Sequence, residues 1–493
     1  MSVGQLSRQH PPMNTVEHAL PPVDLATLRN AFQGRWFTDP ADMAPFLTDW
    51  RRQWHGTALA VVQPERTEDV AAVVRWCQHM RVAVVPQGGN TGLSGGSVPG
   101  LEGRCIVLSL KRLNRVRALD ADNNTVTLEA GVTLQTAQEV AAEAGRLFAL
   151  SLAAEGSCTV GGNLATNAGG VHVLRYGTAR ELCVGLEVVT AEGEVWHGLH
   201  GLRKDNTGYD LRDLYIGSEG TLGVITAAVF KLHPLAGAQA VALWSAPSAT
   251  AATRVLHQAL ARCGAQLTAF ELMNPLSIAL VQRHMPGAAW PLREAAPWYV
   301  LMEVSTANET SCAQALEDVL GPAMEAGDCC EAVLSHNEGQ FRALWAWREN
   351  ISEAQGAEGR TIKHDISLPI SRIDAFISMA SDALARHYSA LRLVVFGHLG
   401  DGNLHFNLSP PVDACTPTHA TAFLALEPGV NTLVHDVVQA HGGSISAEHG
   451  LGVLRRDEAA RRRDPVAHRL MLRLKTALDP HGLMNPGKVL PQA

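Results

Sequence analysis

RVAVVPQGGNTGLSGG, residues 81–96, is the segment from which the fold of this 493-residue chain can be inferred. It reads as a short buried strand that runs directly into a loop, and this loop, Pro86 to Gly96, has five glycines in eleven residues. Glycines let main-chain N–H groups turn inward toward an anion, and the hydroxyls of Thr91 and Ser94 add donors. We interpret the loop as a diphosphate site. The alternative, a mobile surface loop, leaves the buried strand before it unexplained.

The loop differs from two common phosphate-binding motifs. No Gly-x-Gly-x-x-Gly opens a helix with an acidic residue about 20 positions further on, and no Gly-Lys-Ser/Thr follows. Two more loops of similar composition occur later, EGSCTVGGNLATNAGG at 155–170 and GSEGTLGVIT at 217–226. Three such loops indicate a long ligand that is contacted mostly by main chain, which suits a dinucleotide better than a mononucleotide.

The sequence around these loops predicts alternating strands and helices. Residues 58–96 read as a βαβ unit, in which Thr67 caps a helix with apolar positions at helical spacing: Val70, Val73, Val74 and Cys77. LEVVTAEGEVW predicts a hairpin with Gly193 in its turn. The chain changes character near His233-Pro234, after which an Ala-rich helix is predicted around 250–263.

Composition excludes several classes of protein. Apolar residues make up 46% and charged residues 18% of the chain, and the net charge of −8 argues against nucleic acid or an anionic membrane as the main partner. No apolar run approaches the ~18 residues of a membrane span, and the N-terminal 22 residues lack the apolar core of a secretory signal. Translation could begin at Met1 or Met13.

The nine cysteines include no Cys-x-x-Cys pair. This favours reduced thiols in a cytoplasmic protein and indicates no iron–sulfur centre.

VVFGHLGDGNLHFNLS, residues 394–409, predicts a second functional element. Asp401-Gly402 is typical of a two-residue hairpin loop, which would set His398 directly opposite His405 and Phe396 opposite Asn407. His398, His405 and Asn407 would then share one face, with the Cβ atoms of the two opposed histidines ~5 Å apart, close enough for their imidazoles to share a metal. An ordinary histidine pair on a sheet is the alternative.

GGSISAEHGLG places Glu448 and His449 in a loop bracketed by glycines. Two histidines and one carboxylate suit Zn²⁺ or a similar divalent ion. An isolated surface acid is the alternative for Glu448.

A third region is rich in candidate anion ligands. WAWRENISEAQGAEGRTIKHDISLP is predicted to be helical through Gln355, with Arg348 and Ser352 four residues apart on one face and Lys363 at the start of the next strand. Arg and Lys converging on one cavity would favour a dianionic substrate, whereas a solvated charged face is the alternative.

The loop order over residues 53–233 resembles the FAD-binding domain of the vanillyl-alcohol oxidase and p-cresol methylhydroxylase flavoproteins. The resemblance implies FAD, with the first loop on the diphosphate and the later two near the adenosine and the isoalloxazine. Relatives with covalent flavin often carry His in the first loop, where this chain has Gly88-Gly89-Asn90, so non-covalent FAD is implied. The implied FAD ligands are Pro86, Gln87, Gly88, Gly89, Asn90, Thr91, Gly92, Ser94, Gly95, Gly96, Ser97, Glu155, Gly156, Thr159, Gly161, Gly162, Asn163, Gly169, Gly170, Tyr176, Gly177, Glu219, Gly223, Val224, Ile225 and Asn485.

The remainder of the chain resembles the C-terminal domain of FAD-linked dehydrogenases that act on D-2-hydroxyglutarate, D-lactate or glycolate. The resemblance implies a metal on His398, His405 and Glu448, with His449 as catalytic base. It implies substrate contacts from Arg348, Ser352, Lys363, Asn407 and His449, where Ser352 replaces the Thr of the D-2-hydroxyglutarate enzymes. GGNTG in the first loop also resembles that group, and the ending MNPGKVLP resembles the ending of the wider family.

The expected fold class is α+β, with a two-part FAD-binding domain of the p-cresol methylhydroxylase type, an α/β cap domain for the substrate and a C-terminal helical segment. The expected division is 1–52, an N-terminal arm and helices; 53–233, the FAD-binding domain; 234–440, the cap domain with the metal hairpin; and 441–493, a segment returning to the FAD domain.

The expected activity is oxidation of a D-2-hydroxy acid, with electrons passed to an external acceptor such as electron-transferring flavoprotein or a quinone. The protein is expected to be a homodimer. The alternatives are an oxidase that uses O₂, a D-lactate or glycolate dehydrogenase, and a non-catalytic FAD subunit of a larger oxidase.

Overall fold

The computed structural model describes residues 23–285, 287, 289–388, 390–415 and 417–491. The two candidate start residues lie outside the described residues. So do the segment considered as a secretory signal and the beginning of the expected N-terminal arm. Three larger sheets and one two-stranded sheet organise the described chain. Its architecture is the mixed helix and sheet type that the sequence predicts.

A four-stranded sheet of order β1-β2-β4-β3 leads into the first glycine-rich loop. β2, β3 and β4 are parallel, whereas β1, which the sequence did not predict, is an antiparallel edge strand. The predicted βαβ unit is confirmed, and Val70, Val73, Val74 and Cys77 are buried in the core. The elements are α1 Leu25–Ala31, β1 Gly34–Phe37, α2 Pro40–Leu47, β2 Ala60–Pro64, α3 Thr67–Met80, β3 Ala83–Gln87 and β4 Cys105–Ser109.

The prediction that Thr67 caps α3 is wrong. Thr67 is the first helical residue, and Arg66 occupies the cap position without a side-chain cap. The Thr67 hydroxyl instead donates to Glu187 at 2.7 Å. Glu187 is a buried carboxylate of the neighbouring sheet, and a buried charge requires such donors.

The second sheet is antiparallel, of order β5-β6-β10-β8-β9, and carries the other two glycine-rich loops. The predicted hairpin is confirmed as β8 and β9, and Gly193 adopts φ +78° in its turn. The elements are β5 Val116–Asp120, β6 Thr125–Glu129, α4 Leu134–Glu143, β7 Arg146–Leu147, α5 Val160–Thr166, α6 Val173–Tyr176, α7 Ala179–Leu182, β8 Cys183–Thr190, β9 Val195–Gly198, α8 Arg212–Tyr215, β10 Gly223–Lys231 and β11 His233–Pro234.

A seven-stranded antiparallel sheet, which we call the cap sheet, has the order β15-β12-β14-β13-β17-β18-β16. Alternate residues of its strands enter two separate cores, as Ala242 and Trp244 on one face and Val241 and Leu243 on the other show. The strands are β12 Ala238–Ala246, β13 Leu267–Met273, β14 Trp298–Thr306, β15 Glu331–Leu334, β16 Asp365–Ser367, β17 Arg392–His398 and β18 Asn403–Ser409. The helices are α9 Ala249–Cys263, α10 Pro275–His284, α11 Glu309–Glu325, α12 Glu338–Glu349, α13 Ile351–Ala357, α14 Ile373–His387, α15 Pro417–Leu424 and α16 Glu427–Ala440. The Ala-rich helix is confirmed as α9, and the predicted helical stretch continues past Gln355 to the end of α13.

The predicted register of the β17–β18 hairpin is wrong by two residues. His405 lies opposite Phe396, and Asn407 lies opposite Val394. The loop has four residues instead of two, because the N–H groups of Asp401 and Gly402 both donate to the carbonyl of His398 and Leu399 is fully buried in the core. A shift of two residues does not reverse the faces of a strand, so His398 and His405 still share one face, diagonally.

The C-terminal segment contains α17 Arg456–Arg462 and α18 Pro465–Leu478 and then returns to the first sheet. Met484 forms a parallel bridge with Val84, and the N–H of Asn485 donates to the Val84 carbonyl. Among the described helices, none is both long and apolar enough to cross a bilayer.

Candidate active site

A cleft runs between the three glycine-rich loops. Seventeen of the predicted FAD ligands line it: Pro86, Gln87, Gly88, Gly89, Asn90, Thr91, Gly92, Ser94, Gly96, Ser97, Thr159, Gly161, Gly162, Asn163, Glu219, Gly223 and Ile225. The cleft also reaches His449, the predicted catalytic base. One cavity therefore joins the predicted cofactor loops to the predicted reaction centre.

Close packing of the first loop against the second explains two of its glycines. A Cβ at Gly89 would lie 2.0 Å from the carbonyl oxygen of Ser157, and a Cβ at Gly88 would lie 2.5 Å from Oγ1 of Thr159. Thr159 caps the N-terminus of α5, where main-chain N–H groups favour an anion. The two loops therefore meet where the diphosphate is expected.

Nine predicted FAD ligands do not line the cleft. Two of them stabilise the loops by hydrogen bonds. The Asn485 amide donates to the carbonyls of Gly96 and Glu219, and the Glu155 carboxylate accepts from Ser151 and Gln138. Val224 is part of the apolar core, and Tyr176 packs against His233. The other five are Gly95, Gly156, Gly169, Gly170 and Gly177.

The sequence analysis missed Leu110, Ala165, Thr166, Ser218 and Gly220, which line the same cleft. Ala165 and Thr166 lie within three residues of the predicted Asn163, and Ser218 and Gly220 flank the predicted Glu219.

His398, His405 and Glu448 come together although they lie on β17, on β18 and in a distant loop. One ligand atom from each residue lies within 4.8 Å of the other two, and Nε2 of His398 is 3.7 Å from Oε1 of Glu448. Two ligands of a tetrahedral ion at ~2.1 Å are roughly 3.4 Å apart, so small side-chain movements would complete a site. The arrangement therefore fits a divalent metal.

Glu271 on β13, which the sequence analysis missed, holds the first of these histidines. Its carboxylate is fully buried, bonds Nδ1 of His398 at 2.6 Å and leaves Nε2 directed at Glu448. Burial alone would raise the pKa of Glu271, but His398 and Arg348 lower it to about 2. A carboxylate on the second nitrogen of a ligating histidine is the usual support of a metal site.

Hydrogen bonds from both halves of the molecule fix the loop that carries His449. Asp365, at the end of the cap sheet, accepts the N–H groups of Glu448 and His449 at 2.8 and 2.9 Å. Glu219, in the third FAD loop, accepts those of Leu451 and Gly452 at 2.7 and 2.8 Å.

Ser94 of the first FAD loop donates to the carbonyl of His449. The candidate base therefore sits at the junction of the cofactor loops and the metal group.

The protonation state of His449 suits a base. Burial lowers its pKa, an effect that Asp365 opposes, and Nδ1 faces the Asp365 carboxylate at 3.5 Å. Burial therefore favours the neutral form of the imidazole, which is the form that can accept a proton.

The four predicted substrate ligands other than His449 differ in their surroundings. Arg348 is buried over the Phe396 ring and donates from Nε to Glu271 at 2.7 Å, whereas Ser352 is exposed. The amide of Asn407 is engaged at both ends, because it accepts from the His364 N–H and donates to Gln355. Lys363 is partly buried, and its Nζ makes no hydrogen bond or ion pair with the described residues. Lys363 is thus a suitable ligand for an incoming anion.

Comparisons with known proteins show the family of the chain. Residues 58–198 match the family model of an FAD binding domain, and residues 235–489 match that of the C-terminal domain of FAD linked oxidases. The chain is 40% identical to the mitochondrial D-2-hydroxyglutarate dehydrogenase of Bos taurus over 95% of this chain and 83% of that protein. It is 41% identical to the D-2-hydroxyglutarate dehydrogenase of Xanthomonas citri over 92% and 93%. A putative mitochondrial D-lactate dehydrogenase of Schizosaccharomyces pombe is 36% identical over 92% and 85%.

Solved structures confirm the fold class. p-Cresol methylhydroxylase superimposes with a TM-score of 0.71 at 17% identity, covering 92% of this chain and 94% of that chain. An alkyldihydroxyacetonephosphate synthase gives 0.72 at 17% identity, covering 95% and 86%. The chain therefore belongs to the FAD-linked oxidase family, in the group that contains the D-2-hydroxyglutarate dehydrogenases.

Proposed function

We propose that the protein oxidises D-2-hydroxyglutarate to 2-oxoglutarate, and also D-malate, with FAD and a divalent metal held by His398, His405 and Glu448. The observation that carries the proposal is the single cleft in which the cofactor loops meet His449. The metal group lies beside His449, since Glu448 is its neighbour in the chain. The names of the relatives support the same substrate. D-lactate is the second candidate, supported by one relative's name.

The chain's own residues would bind, orient and deprotonate the substrate. When bound, the metal supplies a Lewis acid for the C2 hydroxyl and a carboxylate oxygen, and FAD supplies the two-electron hydride acceptor. Nε2 of His449 takes the hydroxyl proton, while Asp365 fixes the loop that carries His449. Lys363 and Arg348 orient the carboxylates.

The experiment that tests the substrate is anaerobic bleaching of the oxidised flavin by a panel of D-2-hydroxy acids. We expect D-2-hydroxyglutarate and D-malate to bleach the flavin with higher kcat/KM than D-lactate and glycolate. Lys363→Ala should lower kcat/KM for the dicarboxylates by roughly 10- to 150-fold, the value of one charge-assisted hydrogen bond, and for D-lactate much less. A monocarboxylate preference of the native enzyme, or an equal loss for both classes in the variant, contradicts the assignment.

The FAD is proposed to be non-covalent. The first loop has no histidine to which flavin could be attached, and this supports the proposal. Asn90 stands in that loop, and its amide donates to the carbonyls of Pro45 and Thr48. Acid or heat should release all of the yellow colour into the supernatant. Flavin that remains with the denatured polypeptide on a gel would exclude this mode of binding.

An external acceptor, such as electron-transferring flavoprotein or a quinone, and a homodimer complete the proposal. Exposed apolar side chains on α18, Val466, Leu470 and Leu474, support a protein contact there. A cytoplasmic location is supported by nine unpaired cysteines, although the bovine relative's name is mitochondrial. Sedimentation and acceptor assays test the first two points.

A further inference from the structure

Gly169, near the end of the second glycine-rich loop, does not line the FAD cleft but lies against the metal group. It is buried, and a Cβ at this position would lie 3.0 Å from Oε1 and 3.4 Å from Cγ of Glu448. Oε1 is also the Glu448 atom that faces Nε2 of His398, at 3.7 Å. The carboxylate of a candidate metal ligand therefore occupies space that a side chain at position 169 would need.

Both neighbours of Gly169 are anchored within the FAD-binding domain. The carbonyl of Ala168 accepts the N–H of Ala179 at 2.9 Å. On the other side, a Cβ at Gly170 would lie 1.9 Å from the carbonyl oxygen of Ser151, so the two main chains are in close contact there. The main chain at Gly169 is thus held from both sides, and a side chain added at this position would displace the metal ligand and not the loop.

The segment that begins at Gly169 contacts the metal group at a second point. Leu174 on α6 packs against the core of the cap sheet and reaches the loop of the β17–β18 hairpin. A Cβ at Gly400 in that loop would lie 2.7 Å from Cδ2 of Leu174. Gly400 follows His398 by two residues. One segment of the FAD-binding domain therefore supports both Glu448 and the loop that follows His398.

Small displacements are significant at a metal site. An ordinary contact between a Cβ and its neighbour is 3.4 Å or longer, so a methyl group at Gly169 would move Oε1 of Glu448 by about 0.4 Å, more than the ~0.2 Å tolerance of metal–ligand distances. The φ angle of Gly169 is not in the left-handed region, so alanine is compatible with its main-chain conformation. The substitution Gly169→Ala therefore acts on the metal ligand and leaves the backbone unstrained.

We propose that Gly169 is a positioning residue for the metal, because its lack of a side chain lets the carboxylate of Glu448 take the place from which it and His398 reach one ion. Leu174 supports the hairpin side of the same group. The inference rests on the metal of the proposed function. In this role Gly169 differs from Gly161 and Gly162 of the same loop, which line the FAD cleft.

The test compares Gly169→Ala with Gly321→Ala, a matched control at an exposed glycine of α11. Zn²⁺ is titrated into the metal-free, FAD-loaded proteins in competition with a chelator. We expect Gly169→Ala to weaken Zn²⁺ binding by roughly 10- to 100-fold, the usual effect of losing a supporting contact at a metal site. Saturating Zn²⁺ should restore much of kcat, because mass action offsets a weakened site. Gly321→Ala should bind Zn²⁺ like the native protein, and flavin content and Tm show that each variant folds.

A double-mutant cycle shows whether Gly169 acts through Glu448. Glu448→Asp withdraws the carboxylate by one methylene, so a methyl group at position 169 no longer has an oxygen to displace. We expect Gly169→Ala to change the Zn²⁺ affinity by less than about threefold in this background. A loss of equal size in both backgrounds, or an unchanged affinity in the single variant, overturns the inference.

Leu174→Ala is a second, independent variant, since it removes the contact with the hairpin loop and leaves Gly169 intact. It should also weaken Zn²⁺ binding at unchanged flavin content, and a native affinity in this variant overturns the role of Leu174. A native protein that binds no Zn²⁺ and turns over without a divalent ion refutes the metal of the proposed function instead. That outcome is distinct from equal binding of Zn²⁺ by the native protein and by Gly169→Ala.

Discussion

Treatment with EDTA is expected to abolish turnover and to leave the FAD bound. The metal group lies on the β17–β18 hairpin and in the 446–452 loop, whereas the cleft for FAD is lined by the three glycine-rich loops. His398, His405 and Glu448 do not line that cleft, although the neighbouring His449 does. Lewis-acid stabilisation of a developing alkoxide is worth several kcal/mol, so its loss lowers kcat by roughly 10³-fold or more. Added Zn²⁺ or another suitable divalent ion should restore the activity.

His405→Ala should reproduce this loss by removing one ligand, with the flavin spectrum unchanged and the bound metal reduced on elemental analysis. His387→Ala, an exposed histidine on α14, is the matched control and should keep both metal and activity. Full turnover in a preparation shown to contain no metal would exclude the metal from the reaction.

Replacement of the candidate base, His449→Asn, is expected to lower the rate of flavin bleaching by roughly 10²- to 10⁴-fold, the usual contribution of a general base. The neighbouring Glu448→Gln variant has a different expected signature. It should lose the metal, because Glu448 belongs to both groups of possible ligands in the described residues. His449 belongs only to the group with Asp365 and Glu448, so His449→Asn should keep a metal that is held by His398, His405 and Glu448. Single-turnover bleaching and metal analysis on both variants distinguish the two roles.

The loop should survive the substitution of His449. Its main chain is fixed by Asp365 and Glu219 and not by the imidazole, so the flavin content and the Tm should change little. A bleaching rate within about threefold of the native value would show that another group takes the proton.

Much of the fold was predictable because its signals are local. The spacing of Val70, Val73 and Val74 predicted α3, and the glycine in the β8–β9 turn predicted that hairpin, since side-chain periodicity and turn chemistry depend on residues a few positions apart. The three glycine-rich loops likewise predicted most of the lining of the FAD cleft. The resemblance to FAD-linked dehydrogenases then indicated which histidines and carboxylate to consider.

The sequence alone could not supply the partners of those residues. Glu271 lies 127 positions before His398, and nothing local to either residue indicates that β13 and β17 pair side by side. The same holds for Asp365 and Glu219, which accept main-chain N–H groups of the loop that carries His449. A buried acid is not recognisable as such until the strands around it are placed.

The sequence by itself determined the class of the cofactor, the chemistry of the candidate ligands and the faces on which the hairpin histidines lie, because these depend on residue type and on a period of two. Only the tertiary structure decided the register of the hairpin, the removal of Thr67 from its cap position and the contact of the turn at residues 48–55 with the first FAD loop. In each case a long-range contact outweighed the local preference: Leu399 is buried in the core, Glu187 needs a donor, and Asn90 draws the N-terminal turn onto the first loop. Such contacts form between segments that are distant in the chain, and their free energies of burial and hydrogen bonding exceed those of turn and cap preferences.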